Sequence, residues 1–135
     1  MVSESISAPA APWVAFAETI IDALAEAERF VNVYPLPTEG IAIPAIVIRP
    51  DEPWMEGVTE DEPFATRRER YAVVLVTSSA TASDGTVALR DMAKLVMGCE
   101  GAGWRWMETT APVVTAANGV DYLACTMHWL LSAED

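Results

Sequence analysis

The sequence predicts a single α+β domain, in which two helices pack on one face of a mainly antiparallel or mixed sheet. Three observations carry this. One segment near the start and one near the middle show apolar residues at helical spacing, while three or more others are short and rich in Val, Ile and aromatics. The strand-like segments fall in runs and do not alternate regularly with helices, which argues against a doubly wound parallel sheet. With 135 residues, 52% of them hydrophobic, the chain fits one domain with a core that needs neither metal nor disulfide.

The expected order is α-β-β-β-α-β-β. Residues 1–11 are small and polar with no periodicity, and are expected to form a flexible arm; residues 12–135 form the domain. Pro12 suits a first helical turn. From there Trp13, Phe16, Ala17, Ile20, Ile21, Leu24 and Ala27 form an apolar stripe, opposed by Glu18, Asp22, Glu26 and Glu28, and the helix is expected to end near Arg29. Phe30–Tyr34 reads as a short strand. Pro35, Pro37 and Gly40 break the chain. Ala45–Arg49 reads as a second strand, opened by Pro44 and closed by Pro50.

Residues 50–66 then read as a long acidic loop holding Asp51, Glu52, Glu56, Glu60, Asp61 and Glu62, with Trp54, Met55 and Phe64 as apolar anchors. Loops of this length are commonly functional, and aromatic residues in an acidic loop suit docking. Arg67–Ser78 is the clearest strand. Its second half, Tyr71-Ala-Val-Val-Leu-Val76, is apolar throughout and expected at the centre of the sheet. A second helix is expected over 84–98, capped by Ser83 or Asp84, burying Leu89, Met92, Leu95 or Val96, and Cys99. Gly98, Gly101 and Gly103 stop it. One strand is expected over Trp104–Thr115, with Pro112 at a bulge or edge. Asn118-Gly119 marks a hairpin, and Val120–Leu131 is the last strand, with Leu123, Cys125, Met127, Trp129 and Leu131 facing the core.

Charge narrows the function. Twenty acids against eight bases give a net charge of −12. Such a surface repels phosphate backbones, so sequence-specific nucleic-acid binding is not expected. No apolar run approaches the ~18 residues of a membrane-spanning helix, and the first eleven residues lack the basic start of a secretory signal. Cys99 and Cys125 have no CxxC spacing and read as reduced core thiols, which points to a reducing compartment such as a bacterial cytoplasm.

Catalysis needs a nucleophile, a base and a stabiliser within reach of one another. The single histidine, His128, shares strand parity with Tyr122 and Thr126, away from the core, and is expected to be solvated or at an interface. No metalloprotease helix, nucleophile elbow or phosphate-binding loop is present. The loop carboxylates lack the calcium-loop pattern and read as a solvated cluster. Trp104-Arg-Trp106 is expected to pack on the sheet or on a neighbouring subunit. No enzymatic role, cofactor or metal is expected, and the protein is expected to act through its surfaces.

Several segments taken in order resemble the tail terminator family of long-tailed bacteriophages, especially those of high-GC actinobacterial hosts. They are the first helix followed by Val31-Asn-Val-Tyr-Pro35, the strand Pro44-Ala-Ile-Val-Ile-Arg-Pro50, the strand Arg70-Tyr-Ala-Val-Val-Leu-Val76, and the return strand Gly119-Val-Asp-Tyr-Leu-Ala-Cys125. The likeness covers most of 13–131, and the 50–66 loop is longer and more acidic than the pattern. The resemblance implies a non-enzymatic homo-oligomeric ring, usually a hexamer, in the virion neck. It caps the tail tube, meets tail tube and head-completion (stopper) proteins, and passes DNA through its lumen. It is assembled in the host bacterial cytoplasm and has no membrane partner. An acidic lumen suits DNA that must slide without sticking. Trp54, Phe64 and Trp106 are expected as aromatic interface anchors, with Arg67, Arg68 and Arg70 meeting acidic neighbours. Competing readings are another neck protein (stopper or head–tail connector), a small non-catalytic binding protein acting as monomer or dimer, and a hydrolase using the loop carboxylates.

Overall fold

The computed structural model describes residues 12–35, 40–56, 66–78, 82–101, 103–117 and 120–134. Helix α1 spans Pro12–Glu26 and helix α2 spans Ala82–Met97. The strands are β1 Asn32–Tyr34, β2 Ala45–Glu56, β3 Thr66–Ser78, β4 Trp104–Thr109, β5 Val113–Ala117 and β6 Val120–Glu134. They form one mixed six-stranded sheet in the order β1-β2-β3-β6-β4, with β5 also pairing to β6. Only β1 and β2 run parallel. The architecture is the expected α+β domain.

Both helices cover the same face of the sheet. In α1, Phe16, Ala17, Ile20 and Leu24 are buried; Ile21 and Ala27, expected in the stripe, are exposed. Phe16 sits at the centre, its ring 4.7 Å from that of Trp129 and 5.4 Å from that of Trp104. Burying one such side chain contributes about 1.5–3 kcal/mol. In α2 the buried stripe is Leu89, Met92 and Val96, continued by Cys99 just beyond the helix, with Ala93 beside it and Leu95 half-buried. Gly85 lets α2 approach closely, since a Cβ there would stand 2.7 Å from Leu123 Cδ2. The helix begins at Ala82, so Ser83 and Asp84 fall in its first turn instead of capping it; the Asp84 carboxylate there suits the positive end of the helix dipole.

Helix α1 stops at Glu26, earlier than the stripe suggests. The Arg29 N–H donates to Leu24 O (2.9 Å) and the Glu28 N–H to Ala25 O (3.0 Å). This is a Schellman closure, with Glu28 at φ 57° in the left-handed position where glycine is usual.

Strand β3 is central. Ile46 pairs with Leu75 and Leu75 with Cys125; Ile48 pairs with Val73 and Val73 with Met127. These residues, with Leu123, Trp129 and Leu131 of β6, form the sheet side of the core, as the alternation of β6 predicts.

Three strand expectations are corrected. β1 begins at Asn32, because Phe30 lies outside the ladder. The segment 104–115 is two strands, β4 and β5: Pro112 lacks an N–H for the ladder, and the chain leaves it over 110–112. The sheet therefore has six strands, not five. The third correction is the largest. β2 does not close at Pro50 but continues to Glu56, so the first part of the expected 50–66 loop is strand. Residues 57–65, with Phe64, lie outside the described residues, as do the arm 1–11 and Asn118-Gly119. The hairpin still closes around that dipeptide, with Ala117 opposite Val120.

Candidate functional site

The continuation of β2 is irregular. Pro50 pairs with Tyr71 and Met55 with Glu69, so residues 51–54 stand against the single β3 residue Arg70. Pro50 and Pro53 cannot donate to a ladder, which favours such a bulge. From the bulge, Asp51 reaches the sheet face that carries neither described helix. There Arg49 lies opposite Ala72, and Ala72 opposite His128. The small Ala72 side chain leaves room for Asp51 to reach across β3. Its Oδ2 lies 2.6 Å from His128 Nδ1, and its Oδ1 accepts the Glu52 N–H at 2.9 Å. The Asp51 side chain is only 11% exposed.

Burial pushes the Asp51 carboxyl up. The hydrogen bonds from His128 and the Glu52 N–H, with the positive charges of His128 and Arg70, outweigh it and hold the group below its ordinary range. Asp51 is therefore not a solvated loop acid, and His128 is not a freely exposed strand residue. The pair clamps the bulge onto the sheet. Among the described residues no hydroxyl or thiol hydrogen-bonds the imidazole, and no three His, Cys, Asp or Glu side chains converge as a metal site.

On the helix-covered side of β3, Tyr71 Oη donates to Glu69 Oε1 at 2.5 Å, and its ring centroid lies 5.8 Å from that of Trp13. The Trp54 indole lies within hydrogen-bonding reach of the same phenol. Burial, reinforced by Glu69, pushes the phenol far up, so it stays protonated. Trp54 thus leans on its own domain while remaining 40% exposed.

The other expected interface residues do not form one cluster. Arg67 stands opposite Ala133. Arg68 and Arg70 are half-buried on the helix-free face, whose strand register also places Arg49 and Arg105 there. Four of the eight basic residues of an acidic chain therefore share one face. Trp106 is half-buried, its Nε1 donating to Thr109 Oγ1 at 2.9 Å. It helps line a groove of about 410 Å³ between α2 and the β4–β5 edge, with Leu89, Met97, Pro112 and Cys125. Cys125 and Cys99 are buried free thiols whose ionisation burial pushes up, so neither is activated as a nucleophile.

The residue that sequence reasoning missed is Phe30. It is 92% exposed, in the turn between α1 and β1. Arg29 beside it pairs with Asp91 of α2 at 2.8 Å, pinning the turn to the helix layer. The available signal was positional, since Phe30 lies beyond the last residue the α1 stripe can bury. No helix among the described residues is long and apolar enough to cross a membrane. Compared with models of known protein families and with curated proteins, the chain matches none.

Proposed function

We propose that the protein is a ring-forming structural subunit of the tail-terminator class. In this reading copies of the chain close into a hexameric ring on the tail tube of a long-tailed phage. The ring stops tube growth, receives the head-completion proteins, and lets DNA pass without binding its sequence. Assembly takes place in the host cytoplasm, and the protein ends in the virion neck without catalysing a reaction.

The observation that carries the reading is the placement of the three strand segments behind the resemblance. They are far apart in the chain yet lie side by side in register: Ala45 against Val76 and Val76 against Ala124, then Ile46 against Leu75 and Leu75 against Cys125. Segments resembling a family in their order are thus also the adjoining strands of one sheet. The strongly acidic composition supports a lumen that does not retain DNA. The two sheet edges differ, three residues of β1 on one side and β4 with β5 on the other, which suits heterologous contacts better than a self-complementary dimer.

Native mass measurement and electron microscopy test this. A closed ring of copies that arrests polymerisation of its tail tube protein is the expected result. A stable monomer at high concentration that leaves tube growth unchanged overturns it. A ring that ignores the tube but binds head-completion proteins moves the protein to the stopper position.

A further inference from the structure

We infer that copies associate head to tail by seating Phe30 of one molecule in the α2/β4–β5 groove of the next. The inference rests on the ring reading and names the contact that makes the ring. Phe30 is the most exposed large apolar side chain among the described residues, at 92%. Soluble domains do hold single exposed apolar residues, but this one has company. It separates two shallow recesses, one lined by Ile21 and the other by Val87, which are 45% and 66% exposed. Its backbone is fixed on the N-terminal side by the Schellman closure, and the Arg29–Asp91 pair ties the turn to α2. Little further ordering is therefore needed on binding.

The groove offers the complement. Its wall is Leu89 and Met97 from α2 with Trp106, Pro112 and Cys125 from the strands. At about 410 Å³ it is larger than one phenyl ring requires, so the flanking Ile21 or Val87 side chain can enter beside it. The charges at the two sites also match. Arg90 and Lys94, exposed and one helical turn apart, rim the groove. Glu28, exposed, lines the recess at the root of Phe30. Two of the eight basic residues in the chain therefore stand at this rim, and an acid stands at the knob that would enter it.

Geometry sets the mode of association. Phe30 and Val87 lie on the β1–β2 side of α2, and the groove lies on the β4–β5 side of the same helix. A knob and a hole on opposite flanks of one element repeat from copy to copy, and closure of that repeat is a ring.

The test uses the full chain and reads oligomer mass against concentration, with circular dichroism checking the fold. Phe30→Asp removes an exposed side chain, so the monomer stays folded, and association weakens by about tenfold or more, as for an aromatic anchor. Arg90→Glu with Lys94→Glu has the same effect. Adding Glu28→Lys to that double variant restores association in part. A wild-type ring that Phe30→Asp leaves intact overturns this contact and spares the ring reading. A double variant that the charge swap does not restore also overturns it. A wild type that stops at a dimer overturns the head-to-tail contact and the ring together, whether or not Phe30→Asp dissolves it. A wild type that is monomeric throughout overturns both.

Discussion

The two faces of the sheet are built from the same strands and differ in almost every other respect. On the covered face β3 presents Tyr71, Val73 and Leu75, and β6 presents Met127, Trp129 and Leu131; all are inaccessible beneath α1 and α2. On the open face the same strands present Ala72, Val74 and Val76, then Thr126, His128 and Leu130. Ala72 is also inaccessible, with no helix above it. It is short and stands between the longer Arg49 and His128. Burial on the covered face reflects packing of large groups, whereas on the open face it falls on Ala45, Ala72 and Val76. The first excludes water over a wide area and carries most of the stability. The second gathers arginines, a histidine and a clamped carboxylate, and leaves them at the surface.

The comparison can be broken most directly at the centre of the covered face. Phe16→Ala should cost about 3–5 kcal/mol in denaturant-induced unfolding, because the rings of Trp104 and Trp129 lose their shared neighbour. The adjacent pair Val73 and Val74 sharpens the contrast. Val73→Ala should cost about 2–3 kcal/mol and Val74→Ala about 1 kcal/mol or less. Equal losses would mean that the open face is packed as tightly as the other.

Asp51→Asn tests the open face itself and should cost about 1–3 kcal/mol at neutral pH through loss of a charge-assisted bond. Asp51 is held below its ordinary range when folded. Its contribution is therefore complete above the unfolded carboxylate value near ~3.9 and disappears as pH falls through the lower folded value. The variant should show a shallower loss of stability below about pH 4. An unchanged acid limb would mean that the Asp51–His128 contact is not held in solution. A small effect of opposite sign is expected at Glu28→Gly, which relieves a left-handed non-glycine residue and should raise stability by about 1 kcal/mol. The same change removes an acid beside Phe30, so a more stable monomer that associates less well is the expected combination.

Period and turn chemistry made the covered face legible in the sequence. The alternation of β6 placed five core residues correctly, and the α2 stripe needed only Leu95 and Val96 to be distinguished, with Val96 buried. Prolines misled in both directions. Pro112 reads as a bulge within one strand but separates two. Pro50 reads as a strand end, yet β2 passes through it, because the ladder resumes at Met55 and Glu56 after the bulge. The Asp51–His128 pair joins residues 77 positions apart and depends on that bulge, so no local pattern marks it. Trp54 was visible as an anchor in sequence, but its lean toward Tyr71 depends on where the bulge points. Phe30 was assigned to a strand because its neighbours alternate, and only the early end of α1 exposes it.

The position of β6 in the sheet has a consequence for the order in which the fold can be made. β6 pairs with β3, β4 and β5, so three strands share one partner that is translated after all of them. The β3–β6 ladder joins residues 44 to 68 positions apart and runs over thirteen pairs. Contacts of such separation raise contact order and slow folding, since the loop between them must close before the ladder stabilises anything. Until β6 leaves the ribosome, β4 and β5 have no strand to pair with, and the apolar half of β3 has an open edge. Such a nascent chain is exposed to association with its neighbours, and folding by this route is set by the arrival of one strand.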